Sequence, residues 1–160
     1  MMESIVFQKA VPEDVAAVRA VTRKAFTQYA RELRKAENIA ALHETDEAIL
    51  SDILRKHVYL CRVDGKAVGA VRFEVLEQVI AYLSRLAVDP EIQSLGIGGL
   101  LLEKVRRECG KLGVRAVTLH TASRMRSSVA FYLKNGYYIH SITRDKEYIR
   151  AFLVCELQEM

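Results

Sequence analysis

Three glycines within four positions form the segment of this sequence that is best suited to bind an anion. Gly96, Gly98 and Gly99 follow a strand-like run that ends at Asp89-Pro90, and an apolar helical pattern begins directly after them. Glycine allows the backbone to approach a ligand closely, and the N–H groups at a helix N-terminus point together towards an anion such as phosphate. A tight turn that packs a helix onto a sheet is the alternative interpretation of the same residues.

Spacing excludes two familiar phosphate-binding loops. The P-loop of nucleotide-binding proteins requires Gly-Lys-Ser/Thr after its spacer, whereas this chain has Gly98-Gly99-Leu100. The dinucleotide fingerprint GxGxxG would need its third glycine at the position that Leu101 occupies. The pattern that remains is Gln93-x-x-Gly96-x-Gly98.

This pattern resembles the coenzyme loop of the GNAT superfamily of acetyl-CoA-dependent N-acetyltransferases, which reads Arg/Gln-x-x-Gly-x-Gly/Ala. Downstream, Phe131-Tyr132 and Gly136-Tyr137 resemble the Phe-Tyr-x-x-x-Gly-Phe/Tyr motif of the same family. The two motifs occur in the family's order, and the resemblance covers nearly the whole chain. It implies an enzyme without a metal that moves the acetyl group of acetyl-CoA to a primary amine by direct attack in a ternary complex.

The resemblance also implies a set of coenzyme-binding residues. Main-chain N–H groups of the loop would hold the pyrophosphate, the side chain of Gln93 would assist, and the loop residues are Ser94, Leu95, Gly96, Ile97, Gly98 and Gly99. Pantetheine would run along the backbone of the fourth strand at Leu86, Ala87 and Val88. Further candidates precede or lie on the helix that carries Tyr132. Ser127 or Ser128 would contact pantetheine or cap the helix. Three basic residues would reach the 3′-phosphate or carry ordinary surface charge: Arg124, Arg126 and Lys134.

Two residues are candidates for proton transfer. Tyr132 matches the family's tyrosine near the leaving sulfur, and a departing thiolate benefits from a proton, so Tyr132 is predicted to be the general acid. Some family members carry a glutamate base where this chain has Tyr82, so a carboxylate base on that strand is in doubt. His120 is the substitute candidate. A structural histidine and a water relay are the alternatives, and Glu74 and Glu77 are weaker candidates.

The elements that must position these residues follow from hydrophobic periodicity. The predicted order is β-α-α-β-β-β-α-β-α-β-β, in one α/β domain over residues 1–160 whose sheet of six to seven strands is mostly antiparallel and carries about four helices. Asp64-Gly65 predicts a tight hairpin. Thr45 is predicted to cap a short helix with a buried stripe that comprises Ile49, Leu50, Ile53 and Leu54.

Composition agrees with one globular domain. The 160 residues are 51% hydrophobic and 28% charged, which is close to the average of folded domains. No apolar run approaches the roughly 20 residues that a membrane span needs. The first residues of the sequence lack the basic segment of a secretory signal. A cytoplasmic location without a membrane partner is therefore expected. The cysteines, Cys61, Cys109 and Cys155, lack CxxC spacing and are predicted to be reduced core residues.

Three classes of function are compatible with this sequence to different degrees. An N-acetyltransferase is favoured, and a non-catalytic acyl-CoA-binding or regulatory module of the same fold is the alternative, suggested by the missing strand carboxylate. Nucleic-acid binding, prompted by the basic run in residues 103–134, is not expected because the run lacks interleaved aromatics and a known motif. The acceptor is expected to be a small-molecule or peptide amine, either cationic or acidic. The sequence is compatible with a monomer and with a homodimer.

Overall fold

Seven strands form one sheet in the order β1-β2-β3-β4-β5-β7-β6. A computed structural model describes residues 4–34, 39–77, 79–144 and 148–157, without the side chains of Gln93 and Ser94. The strands are β1 Ile5–Lys9, β2 His57–Val63, β3 Lys66–Leu76, β4 Ile80–Val88, β5 Ala116–Ala122, β6 Tyr138–Arg144 and β7 Ile149–Glu156. The helices are α1 Val15–Leu33, α2 Asp46–Arg55, α3 Ile97–Lys111 and α4 Arg126–Lys134, so the predicted element order is confirmed.

The sheet divides between β4 and β5, the one parallel pair among its described strands. These strands share a short register that ends at Tyr82 and Thr118. Beyond that point β4 diverges from β5, and a β-bulge helps to bend it, because Arg85 adopts a positive φ of 54° where the register with β3 shifts. We call the resulting gap the fork. Within the described residues, the edge of β4 that faces the fork pairs with no other strand.

The helices cover opposite faces of the sheet. On one face α3 and α4 bury a core with β2–β5 and β7, and the predicted apolar stripe of α3 is fully buried: Leu101, Leu102, Val105 and Cys109. On the other face α1 and α2 pack against smaller side chains, among them Ala70 and Ala87. The three cysteines are free and buried, as predicted. None of the described helices is long and apolar enough to cross a membrane.

Two local predictions can be checked directly. The hairpin turn forms at Asp64 and Gly65, both of which have positive φ angles. Thr45 caps α2, because its Oγ1 accepts a hydrogen bond of 3.1 Å from the Ala48 amide. The predicted stripe of α2 is wrong at Leu54, which is 67% exposed. It follows the buried Ile53 directly, and one residue turns a helix by about 100°, which moves Leu54 off the narrow face that packs on the sheet.

Candidate active site at the fork

A cavity of about 470 Å³ lies at the fork. Its walls include Tyr29 from α1, Leu86 and Val88 from the end of β4, and Gly98 and Tyr132 from α3 and α4. Because α1 lies on one face of the sheet and α3 and α4 lie on the other, the cavity passes through the sheet where β4 and β5 have separated. A ligand bound from the α3 side can therefore present a group to the opposite face.

The N-terminus of α3 forms one end of this cavity. Gly96 precedes the helix with a φ of 70°, and the Leu100 amide donates to the Gly96 carbonyl at 3.1 Å. The N–H groups of Ile97, Gly98 and Gly99 have no acceptor among the described residues. Adjacent unpaired donors at a helix N-terminus suit a phosphate group, so the loop fits the diphosphate of coenzyme A.

Packing is tight at Gly98 as well. A β-carbon there would lie 3.0 Å from Cζ of Phe131 on α4, closer than in most contacts between carbons, so the Phe131 ring would have to shift by a few tenths of an ångström. At position 99 a β-carbon would only meet Oδ1 of Asn135 at an ordinary 3.5 Å. The close approach of α3 to α4 keeps the Tyr132 helix beside the loop.

A buried carboxylate fixes the turn that leads into the loop. Asp89 is 3% exposed, and it accepts hydrogen bonds from the Glu91 amide at 2.9 Å and from Nζ of Lys24 at 3.0 Å. Burial acts to raise the pKa of Asp89, but these hydrogen bonds outweigh it and hold the pKa below its ordinary value. Asp89 is not among the residues predicted to be functional, although an aspartate before a turn that begins with proline is a recognisable signal.

Tyr132 lies in the same cavity as the loop glycines. Its side chain is 7% exposed and packs edge-on against the rings of Phe131 and Tyr137, whose centroids lie 5.2 Å and 5.6 Å away. No hydrogen bond to its hydroxyl is found within the described part of the chain. Burial is the main cause that raises the pKa of Tyr132, with a smaller contribution from Tyr29. The phenol is therefore protonated at neutral pH.

His120 lies on the opposite face of the sheet, where it is paired with Tyr82. Its Nδ1 is 2.8 Å from the Tyr82 hydroxyl, and its ring stacks on Phe152 at 4.9 Å. Tyr82 is the last residue of β4 that pairs with β5, so this pair lies where the fork opens. Burial raises the pKa of Tyr82, which keeps its phenol protonated. From the sequence, Tyr82 is predicted only to replace a glutamate base, and its contact with His120 is not predicted.

The structure brings together part of the predicted binding set. Eight predicted residues line the cavity: Leu86, Val88, Gly96, Gly98, Gly99, Ser127, Ser128 and Tyr132. The side chains of Ala87 and Ile97 are buried in the core, so only their main chains are available to a ligand. The remaining predicted residues with described side chains are not among the lining residues: Leu95, His120, Arg124, Arg126 and Lys134. The predicted role of the Gln93 side chain lies outside the described part of the structure.

The predicted capping role of the α4 serines is wrong. The helix begins at Arg126 with Met125 as its N-cap, two residues before Ser127, so both serines fall inside the first turn. Oγ of Ser128 instead bonds Thr121 at 3.2 Å, and Oγ of Ser127 donates to Glu32 at 3.4 Å. These contacts join α4 to β5 and to α1 around the cavity.

Much of the basic run on α3 is paired within the helix. Lys104 and Lys111 each lie 3.2 Å from the Glu108 carboxylate, and Arg106 lies 3.6 Å from that of Glu103. This pairing agrees with ordinary helix surface charge for these residues.

Comparison with known proteins identifies similar chains. Residues 22–137 match the profile of the family described as Acetyltransferase (GNAT) family. The chain is 27% identical over 101 residues to an uncharacterised N-acetyltransferase of Methanocaldococcus jannaschii. This match covers 59% of the chain and 42% of the relative, so the chain spans less than half the length of that protein.

Solved structures of similar fold extend over nearly the whole chain. The PaiA N-acetyltransferase of Thermoplasma acidophilum, in complex with coenzyme A, is 20% identical with a TM-score of 0.85, and the match covers 96% of this chain and 99% of that one. Ard1 of Thermoplasma volcanium is 18% identical with a TM-score of 0.81, over 97% and 99% of the two chains. The ribosomal-protein-S18-alanine N-acetyltransferase of Escherichia coli is 18% identical with a TM-score of 0.79, over 97% and 95%. Similarity at these identities establishes the fold.

Proposed function

Because the chain belongs to the acetyltransferase (GNAT) family, we propose that it is an N-acetyltransferase that moves the acetyl group of acetyl-CoA to a primary amine. The observation that carries this proposal is the cavity through the fork, whose lining includes the buried Tyr132 and two loop glycines, Gly98 and Gly99, whose N–H groups have no acceptor among the described residues. The two substrates would meet there from opposite faces of the sheet.

The loop and the edge of β4 are suited to hold acetyl-CoA. The amides of Ile97, Gly98 and Gly99 would donate to the diphosphate, whose negative charge the N-terminus of α3 favours. The main chain of residues 86–88 would pair with the pantetheine amides, because the fork leaves this edge of β4 without a strand partner among the described residues. The thioester would then lie near Tyr132, which shares the cavity.

Tyr132 would supply the proton that the leaving thiolate accepts. As the amine nitrogen bonds to the acetyl carbon, the bond from that carbon to sulfur breaks and the electron pair remains on sulfur. A thiol has an ordinary pKa of about 8.5, so a proton donor lowers the barrier to its departure. The hydroxyl of Tyr132 remains protonated because burial raises its pKa, and it regains the proton from solvent after product release.

His120 would accept the proton that the amine loses. For its Nε2 to act as a base, Nδ1 must carry the hydrogen and donate it to the Tyr82 oxygen 2.8 Å away. Tyr82 would thus select the tautomer and orientation of the imidazole, as the third member of a catalytic triad does. Tyr82 is a positioning residue in this scheme.

The cysteines support direct attack by the amine over an acetyl-cysteine intermediate. Burial raises the pKa of Cys61 to about 11 and that of Cys109 to about 12, and Cys155 is buried as well. None of the three is among the residues that line the cavity. A buried thiol with a raised pKa is a poor nucleophile, because the thiolate is the reactive form.

The test is the release of free coenzyme A from acetyl-CoA in the presence of a panel of amines. The wild-type protein should release coenzyme A only when an accepted amine is present, and mass spectrometry should find the acetyl group on that amine. Tyr132→Phe should lower kcat by about 100-fold and leave acetyl-CoA affinity within about twofold. Tyr138→Phe is the matched control, because Tyr138 lies exposed on β6 and bonds Glu156.

The outcomes separate the competing functions. Tight binding of acetyl-CoA without turnover on any amine, unaffected by Tyr132→Phe, would instead support a non-catalytic acyl-CoA-binding module. Absence of both binding and turnover would contradict every role for this cavity that involves coenzyme A.

A further inference from the structure

One carboxylate, that of Glu32, lines the cavity at the fork. Glu32 lies in the last turn of α1, and no other acidic or basic side chain of the described residues is among those that line this cavity. The N-terminus of α3, whose positive dipole end suits an anion, lies on the opposite face of the sheet from α1. The cavity therefore offers an anion site at α3 and a site of the opposite polarity at Glu32.

The Glu32 carboxylate is held by neutral hydrogen-bond donors. Nε2 of Gln28, one turn earlier on α1, donates to Oε1 at 3.2 Å, and Oγ of Ser127 on α4 donates to Oε2 at 3.4 Å. No cation of the described residues forms an ion pair with Glu32, and its exposed neighbours Arg31 and Arg126 are included in that statement. The two donors orient the carboxylate without neutralising it, and its oxygens can accept further hydrogen bonds.

The position of Glu32 does not favour the stability of α1. The helix ends at Leu33, where its dipole carries partial negative charge, so an acidic side chain in this turn is disfavoured and a basic one is favoured. The bond from Gln28 offsets only part of this cost. A residue that opposes local stability beside a cavity is typical of a binding role.

Aromatic rings lie beside Glu32 on the wall of the cavity that α1 forms. Tyr29 and Phe26 both line the cavity, and their ring centroids are 5.7 Å apart. The Tyr29 hydroxyl accepts a hydrogen bond of 3.0 Å from the Ala122 amide, which holds this ring against the end of β5. Aromatic rings pack against methylene groups and attract cations to their faces. The wall therefore suits an aliphatic chain that ends in a cation.

We infer that the acceptor is a small aliphatic diamine, whose second ammonium group binds Glu32 while the reacting amine points into the fork. This inference rests on the proposed function and names the substrate class of the same site. Acetyl-CoA bound at the loop from the α3 side would leave the α1 wall to the acceptor. An acceptor with a carboxylate in place of the second ammonium group would be repelled by Glu32.

The test compares acceptors that differ at the end remote from the reacting amine. Putrescine, δ-aminobutanol and δ-aminovalerate carry an ammonium, a hydroxyl and a carboxylate group, respectively, on the same chain of methylene groups. We expect kcat/KM for putrescine to exceed that for δ-aminobutanol by about tenfold, of which about twofold is statistical because putrescine has two equivalent amines, and about fivefold reflects one solvated ion pair. The carboxylate member should be the poorest acceptor.

Variants assign the preference to the charge of Glu32. Glu32→Gln should reduce it to the statistical factor, mainly by raising KM for putrescine, Glu32→Asp should retain part of it, and Glu32→Lys should favour δ-aminovalerate. Glu47→Gln is the matched control and should leave the preference intact, because Glu47 is exposed on α2 and is not among the lining residues.

Two further measurements separate a binding role of Glu32 from a structural one. The preference for putrescine should decrease as the salt concentration rises from about 0.02 M to about 0.5 M, because salt screens an exposed charge. The free energy of unfolding of Glu32→Gln should be no lower than that of the wild type, because the helix dipole disfavours the carboxylate. A merely structural glutamate would lower the free energy of unfolding when replaced and would leave the ratio between acceptors unchanged.

The results that would overturn the inference differ in meaning. A preference for putrescine no greater than the statistical factor, a preference that Glu32→Gln leaves unchanged, or turnover only on amines without a second cation would contradict the diamine assignment and leave the acetyltransferase proposal intact. Absence of coenzyme A release with every amine tested would contradict the proposed function and the inference together.

Discussion

The two sides of the fork present different kinds of chemical group to a ligand. On the α3/α4 side the groups suited to bind the cosubstrate are main-chain amides at a helix N-terminus, beside apolar rings and one protonated phenol. On the face that carries His120 they are side chains from three strands, where His120 bonds Tyr82 and stacks on Phe152. The first arrangement suits a cosubstrate common to a whole family, and the second can change its specificity through single substitutions.

The difference also concerns how each side is stabilised. The loop includes the left-handed backbone of Gly96, the close contact of Gly98 with Phe131 and the Asp89 turn. On the face that carries His120, Arg72 makes buried ion pairs with Glu44 and Asp52. Changes on one side should therefore leave the other side measurably intact, and the following predictions test that separation.

The largest expected effect is on stability, from Arg72→Met. Arg72 is 1% exposed, and its loss would leave two carboxylates without their main partner. The free energy of unfolding should fall by about 3 kcal/mol, as for other buried ion pairs that lose one member. Urea unfolding measures this change, and Arg23→Met on the exposed side of α1 should shift stability by less than about 0.5 kcal/mol. If the folded variant also lost affinity for acetyl-CoA, the two sides would not be separable.

The next largest effect is on catalysis, from His120→Gln. Removal of a general base should lower kcat by about 100-fold and remove the rise of kcat with pH that deprotonation of the histidine produces. Tyr82→Phe should lower kcat less, by about tenfold, because the base remains but loses the partner that orients it. Both variants should bind acetyl-CoA normally by calorimetry.

His140→Gln provides the matched control for this experiment. His140 packs against the ring of Phe152 at 5.7 Å and should retain the wild-type pH profile. A wild-type rate and profile in His120→Gln would show that water, and not the histidine, removes the proton.

A smaller effect concerns how the contribution of the loop to the free energy of unfolding depends on pH. The pKa of Asp89 is lower in the folded protein than its ordinary value, so its contribution to stability is present above that ordinary value and is lost as the pH falls through the lowered one. Asp89→Asn should reduce the free energy of unfolding by about 1 kcal/mol at pH 7, since its partner Lys24 is largely exposed. The difference between the two proteins should shrink at pH 3.

The measurement is chemical denaturation at the two pH values, and Glu91→Gln is the control. Glu91 is exposed and contributes its amide, which the substitution retains, to the Asp89 turn. An Asp89→Asn difference that is as large at pH 3 as at pH 7 would show that the charge of Asp89 does not stabilise the turn.

The smallest effect compares two glycines on the same helix. Gly110→Ala should raise the free energy of unfolding by about 0.5–1 kcal/mol, because nothing lies within 4 Å of the added β-carbon and alanine favours a helix. Gly98→Ala should lower stability and weaken acetyl-CoA binding, because its β-carbon would lie 3.0 Å from Phe131. Thermal unfolding and calorimetry of both variants check this contrast, and equal behaviour of the two would contradict it.

The α3/α4 side of the fork could be predicted from the sequence better than the face that carries His120. The glycine loop and the Tyr132 motif are local patterns whose spacing carries the information, so their juxtaposition around one cavity could be anticipated. The contact between Tyr82 and His120 joins residues distant in the chain, and no local spacing encodes it. The bulge at Arg85 arises from strand pairing across the sheet and leaves no sign in the local sequence.

The start of α4 was mispredicted for a related reason. Serines are preferred N-caps, so local propensity predicts the cap at Ser127 or Ser128, whereas the observed N-cap is Met125, two residues before Ser127. The contacts of these serines with Thr121 and Glu32 come from β5 and α1. Tertiary hydrogen bonds thus outweighed the capping preference, which a sequence pattern does not register.

Residue-resolved NMR during a titration with acetyl-CoA measures directly whether the loop amides bind the cosubstrate. We expect saturable changes that are largest at the amides of Ile97, Gly98 and Gly99, with the turn glycines Gly65 and Gly113 unaffected. Saturable changes elsewhere with those three amides unmoved, or no saturable change at all, would contradict this expectation.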